Sequence, residues 1–203
     1  MALQIKRLGF DKVSSDYRRA ILSTLGHQLQ SLSLWDTSSI DVIAELGLCN
    51  QLEELRIAHD CKLLPTPLSE VDFPPADTFL PRLKTLKIGC CIGSWSFLFE
   101  RHRPLLTKLE LACPHIGVSP HSKFNWIDIP ILWPSLTKLC LGNGERLTEE
   151  TLREIVSKLK HLERLTIPEY VEGFSALRLK AFQQEMQNQS DPVDSVRIVF
   201  QSQ

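Results

Sequence analysis

The stretch Leu29-Gln30-Ser31-Leu32-Ser33-Leu34 carries apolar residues on the pattern Leu-x-x-Leu-x-Leu. In an extended segment Leu32 and Leu34 point to one face, and Ser31 and Ser33 to the other. With Leu or Ile in the last place, the pattern returns at Leu52-Leu55-Ile57, Leu83-Leu86-Ile88, Leu106-Leu109-Leu111, Leu136-Leu139-Leu141 and Leu162-Leu165-Ile167. Six matches stand against about 1.2 expected by chance from the composition. Val193-Val196-Ile198 forms a weaker seventh unit, and Leu3 and Ile5 fit the second half of an eighth. The first positions are separated by 23, 31, 23, 30, 26 and 31 residues. Such a period marks stacked units, none of which buries its apolar face alone. The reading predicts parallel strands near residues 30–34, 53–57, 84–88, 107–111, 137–141, 163–167 and 194–199.

The 203-residue chain explains its composition through this repeat: 33 residues are Leu, while only 2 are Met and 2 are Tyr. A net charge of −1 implies no bulk attraction to nucleic acid or to a membrane. No run of 18 apolar residues is present, and Lys6 and Arg7 interrupt any apolar leader core. The expectation is therefore a cytoplasmic or nuclear protein, with its six cysteines as free thiols, most of them buried.

Between strands, each unit needs a return segment. Glu149–Leu159 predicts a helix, because Leu152, Ile155, Val156 and Leu159 fall on one stripe and Thr148 is a suitable N-cap. Asp16–Leu25 reads the same way with Ser14 or Ser15 as cap, and Ser175–Gln187 predicts a third helix. Gly47 closes a short helical run over Asp41–Leu46. Leu64–Pro81 holds five prolines and His115–Pro134 three, so both are expected to be loops. The aromatics of the second, Phe124, Trp126 and Trp133, are expected to cover the core.

These repeats resemble those of leucine-rich-repeat proteins over almost the whole chain. The resemblance implies an α/β fold: a right-handed α/β superhelical solenoid, with a curved parallel sheet and with helices and loops on its convex side. About seven units would form one array over residues 1–203. In the ribonuclease-inhibitor style, the ninth pattern position is Cys or Asn. Here it reads Thr37, Asp60, Cys91, Pro114, Gly144 and Tyr170, so only Cys91 conforms. The irregular unit lengths, and the junction Leu25-Gly26-His27-Gln28-Leu29-Gln30-Ser31-Leu32-Ser33-Leu34, resemble the leucine-rich region of F-box proteins. Those are substrate receptors of Skp–cullin–F-box ubiquitin ligases. An F-box is not read within these 203 residues, and the array is expected to be truncated at its N-terminus.

No sequence signature of catalysis is present: neither a phosphate-binding glycine loop nor the metalloprotease or serine-hydrolase patterns. His59-Asp60-Cys61 holds three reactive side chains, but neighbours on an extended segment diverge. Cys90-Cys91 and Cys113-Pro114-His115 lack the spacing of a zinc site. Asn188-Gln189-Ser190 fits a glycosylation sequon without a secretory leader and reads as chance. No enzyme activity, metal or cofactor is expected.

The residues that alternate with the inward leucines form the surface. Pattern position three reads Ser31, Glu54, Thr85, Lys108, Lys138, Arg164 and Ser195; position five reads Ser33, Arg56, Lys87, Glu110, Cys140, Thr166 and Arg197. Together they hold six basic residues against two acidic ones. Position seven is small in most units, apart from Trp35, which could anchor a partner. Arg56, Lys87, Lys108, Lys138, Arg164, Arg197 and Trp35 are thus the candidate binding residues. Their partner is expected to be a protein, through an acidic or phosphorylated peptide, and not nucleic acid or a membrane. The bland alternative is that these cations solvate an open sheet face. A free-standing scaffold or inhibitor is the alternative to a ligase receptor, and fold alone does not decide between them.

Overall fold

The computed structural model describes residues 4–35, 39–58, 79–89, 103, 105–112, 125–142, 147–168, 176–189 and 196–201. Eight parallel strands form one open sheet: β1 (Arg7–Asp11), β2 (Ser31–Trp35), β3 (Glu54–Ala58), β4 (Thr85–Ile88), β5 (Lys108–Leu111), β6 (Lys138–Leu141), β7 (Arg164–Pro168) and β8 (Arg197–Gln201). Each strand lies beside the next in sequence. The class is therefore α/β, with the parallel sheet that the leucine spacing predicts.

Register explains the pattern. Leu32, Leu55, Leu86, Leu109, Leu139 and Leu165 are lateral neighbours along the sheet, and all are buried. The first leucine of each unit does a different job. The backbone N–H of Leu29, Leu52, Leu83, Leu106, Leu136 and Leu162 each donates to the carbonyl three residues earlier, at 3.1–3.3 Å. The same tight turn thus delivers the chain into six successive strands, with the leucine side chain turned into the core.

The sheet has a helical layer on its leucine side. The helices are α1 (Ser15–Leu25), α2 (Ser39–Leu46), α3 (Ile129–Leu132), α4 (Glu149–Lys158) and α5 (Ala176–Gln189). Leu22, Ile43, Leu46, Leu152, Ile155 and Phe182 join the strand leucines in one apolar cluster. Thr148 caps α4 by accepting from the Thr151 N–H at 3.2 Å, as its sequence predicts. Ser14 precedes α1 but makes no side-chain cap bond.

Three expectations need correction. First, the opening strand is not built on Leu3 and Ile5: Leu8 and Phe10 occupy the slots of Leu32 and Leu34. Second, the last strand is displaced by two residues, because Ile198 pairs laterally with Leu165 and Phe200 with Ile167. Arg197 consequently belongs to position three, beside Arg164, and not to position five. Third, part of His115–Pro134 is helical. Trp126–Asp128 is a 3₁₀ turn closed by a capping box between Asn125 and Asp128, and it leads into α3 with Pro130 in its first turn. Proline there removes only an N–H that has no helical partner. Trp126 and Trp133 are buried, as expected of a cover for the core. Phe124, most of Leu64–Pro81 and the ninth-position residues lie outside the described residues.

Two glycines mark close approaches. A Cβ on Gly26 would meet the Leu48 carbonyl oxygen at 2.8 Å, and one on Gly142 would meet the Ala112 Cα at 2.6 Å. Gly142 is thus small because β5 and β6 close together after Leu111 and Leu141, where the Gly142 N–H donates to the Leu111 carbonyl. In this lane Gly142 therefore serves the packing of neighbouring strands, whereas a Cβ on Gly89 would meet Ala58 only at 3.8 Å.

Candidate functional site

The helical layer covers one side of the sheet. The other carries positions three and five, whose side chains are mostly exposed or half-buried. This face holds a groove of about 510 Å³ over β4–β8, lined by Lys108, Lys138, Arg164, Cys140, Thr166 and Val199, with Lys87 and Glu110 at its β4–β5 end.

The candidate cations separate into two groups. In the first, every charge has a partner. Arg56 Nε donates to Glu54 Oε1 at 2.9 Å, and Ser31 Oγ donates to Glu54 Oε2 at 3.2 Å. Lys87 Nζ meets Glu110 Oε2 at 2.7 Å. Burial opposes the Glu54 charge, but the hydrogen bond and charge of Arg56, the Ser31 hydroxyl and the charge of Lys87 outweigh it and hold that carboxyl below its ordinary range.

The second group is a row. Lys108, Lys138, Arg164 and Arg197 are direct lateral neighbours on β5, β6, β7 and β8. All four are exposed, and among the described residues none forms an ion pair. Parallel strands lie ~4.8 Å apart, so the row spans ~14 Å. Like charges set directly opposite one another destabilise a sheet. The row is therefore an arrangement that folding alone does not favour, and an anion laid along it would remove the repulsion.

Beside the row runs the position-five lane, which opens on β5 with Glu110, held by Lys87, and continues through the uncharged Cys140, Thr166 and Val199. Burial first, and then the Glu110 carboxylate, raises the Cys140 pKa above its ordinary value, while Thr166, Arg164 and Lys87 oppose the shift. Cys140 is thus a half-buried neutral thiol in the groove. The other described cysteine, Cys49, is buried beneath the helices, and burial followed by Glu45 pushes its thiol up to about 12.

Trp35 does not join this site. It is 53% exposed at the end of β2, between Asp11 and Ala58 of the neighbouring strands. Of the seven candidates, then, four form the unpaired row, Arg56 and Lys87 are neutralised, and Trp35 stands apart. His59-Asp60-Cys61, Cys90-Cys91 and Cys113-Pro114-His115 lie outside the described residues.

Charge is paired elsewhere too. On the helical side, Glu149 accepts from Arg153 and Arg178, each at 2.6 Å, and Glu185 bonds Arg153, tying α4 to α5. The hydrogen bonds from Arg178 and Arg153 hold the Glu149 carboxyl below its ordinary range. Between α1 and α2, Arg18 bonds Glu45, and both side chains are almost wholly buried. Nothing in the leucine pattern marks this pair, and sequence reasoning missed it.

Among the described residues no helix is long and apolar enough to cross a membrane. Neither a protein-family model nor a curated protein matches this sequence.

Proposed function

We propose that the chain is a leucine-rich-repeat array, a right-handed α/β solenoid, acting as a non-catalytic protein-binding module whose open sheet face recognises an acidic or phosphorylated segment of a partner. The observation that carries this reading is the row Lys108–Lys138–Arg164–Arg197: four exposed cations in lateral register without carboxylate partners, on a face whose other candidate cations are paired. The repeated entry turn at all six leading leucines supports the repeat-array part.

We further propose that the module is the substrate-recognition region of an F-box-like ubiquitin-ligase receptor. Its support is the junction Leu25–Leu34, in which α1 ends at Leu25, a 3₁₀ turn follows over Gly26–Gln28, and β2 begins at Ser31. Gly26 packs against the Leu48 carbonyl there, which gives the Leu-Gly step a steric reason.

The test is recovery of interacting proteins from lysate by the wild type and by a folded variant with all four row cations reversed to Glu. The reading expects the variant to lose partners that the wild type retains at low salt and releases at high salt. Identical recovery by both would refute it. Co-precipitation of a Skp-type adaptor with the full-length gene product separates the ligase receptor from a free-standing binding protein.

A further inference from the structure

We infer that the groove takes an extended segment running across β5–β8, at right angles to the strands, with acidic side chains at alternate positions and small uncharged residues between them. This rests on the reading of the basic row as a binding site and specifies what fits it. The row spans ~14 Å, and side chains on one side of an extended chain recur every ~6.6–6.8 Å. Acidic residues at positions i, i+2 and i+4 therefore span ~13–14 Å, the length of the row.

The intervening residues then point the other way, toward the lane of Cys140, Thr166 and Val199. Thr166 is buried, and Cys140 and Val199 are half-buried. A carboxylate pressed against this lane would lose water without gaining a cation, which is costly. A contiguous acidic run sends half of its charges there. An alternating segment places each charge on the row and an apolar contact on the lane.

The groove also sets the number of charges. Beyond Lys108, position three becomes the neutral Thr85 on β4. Beside Lys108 on β5, the Glu110 carboxylate, bonded to Lys87 of β4, closes this end of the lane to further acidic residues. The row therefore fits three acidic residues in alternation. A lone phosphate group spans too little of the row to cover more than two neighbouring cations.

The experiment uses the full chain and two peptides of identical composition. One carries three Asp residues alternating with Ala; the other carries the three Asp residues together. Affinities are measured by titration at low ionic strength, and thiol labelling is followed at individual cysteines by mass spectrometry. The alternating peptide is expected to bind at least fivefold more tightly than the contiguous one. Its saturation slows labelling at Cys140 and leaves Cys49 unchanged, and the double variant K138E/R164E loses the discrimination. Equal affinity for the two peptides, with binding lost in the variant, overturns the alternating register while leaving the basic row as the site. Undiminished binding by the variant overturns both, as does failure of either peptide to bind at millimolar concentration.

Discussion

Two patches of the same sheet face solve the same electrostatic problem in opposite ways. Over β3–β5, Arg56 sits on Glu54 and Lys87 on Glu110. Over β5–β8, Lys108, Lys138, Arg164 and Arg197 stand side by side with no carboxylate among them. Both patches lie on the same open face, the paired cations at position five and the row at position three, so solvation of that face does not explain why only one is neutralised. The difference teaches that one patch is neutralised within the folded chain, while the other keeps its cations unpaired in lateral register.

The largest expected effect separates the face from what lies beneath it. Leu109 and Lys108 are adjacent on β5, one buried and one exposed. Leu109→Ala should cost about 2–5 kcal/mol in a denaturant melt, because a stacked core does not refill the cavity. Leu8→Ala, at a half-buried site on the edge strand β1, should cost clearly less. Equal costs at the two sites would contradict a core that is continuous from strand to strand.

Binding is the next way to sharpen the comparison. Single neutralisations in the row should each weaken capture of an acidic partner by about 0.2–1 kcal/mol, and the four together more than any one, without simple additivity because the residues are lateral neighbours. Arg56→Gln, at a cation already engaged by Glu54 on β3 and outside the groove, should change it little. If Arg56 proved as important as the row, the division of the face would be wrong.

The smallest effect is a proton. Since Glu54 titrates below its ordinary range in the folded protein, it binds fewer protons there than when unfolded. Its contribution to stability is present above the ordinary carboxylate pKa and is lost as pH falls through the depressed one. Arg56→Gln should move the Glu54 titration, followed by NMR, upward. An unmoved titration would show that Arg56 does not hold that carboxyl.

Most of this fold could be read from leucine spacing, because a six-residue pattern with two unequal gaps fixes register. Where the pattern thinned, register slipped. Val196, Ile198 and Phe200 alternate with period two, and a two-residue shift keeps the same face inward. Nothing local distinguishes Ile198 opposite Leu165 from Val196 in that place. The chain start posed the same ambiguity with Leu3, Ile5, Leu8 and Phe10.

The site was legible in kind and not in detail. The basic bias of positions three and five was visible, but its division into paired and unpaired cations depends on lateral neighbours. Lys87 and Glu110 are 23 residues apart and become partners only once β4 and β5 are in register. The slip at β8 likewise hid Arg197 from the row. Arg18 and Glu45 were illegible for a related reason: Arg18 lies beside Arg19 and Glu45 between Ala44 and Leu46, and neither run announces the pairing, which comes from the packing of α1 on α2.

The most direct measurement needs no partner. If the row is held against its own repulsion, Arg164→Gln should stabilise the isolated protein by about 0.2–1 kcal/mol. Lys87→Gln, which strips Glu110 of its cation, should destabilise it by a similar amount. For a chain of this size each change corresponds to a thermal midpoint shift of roughly 0.4–4 °C, measured at low salt. The account predicts opposite signs: upward for Arg164→Gln and downward for Lys87→Gln, with the upward shift shrinking as salt is added. A fall in both midpoints would contradict it, because the row would then be part of what stabilises the fold and not a surface awaiting an anionic partner.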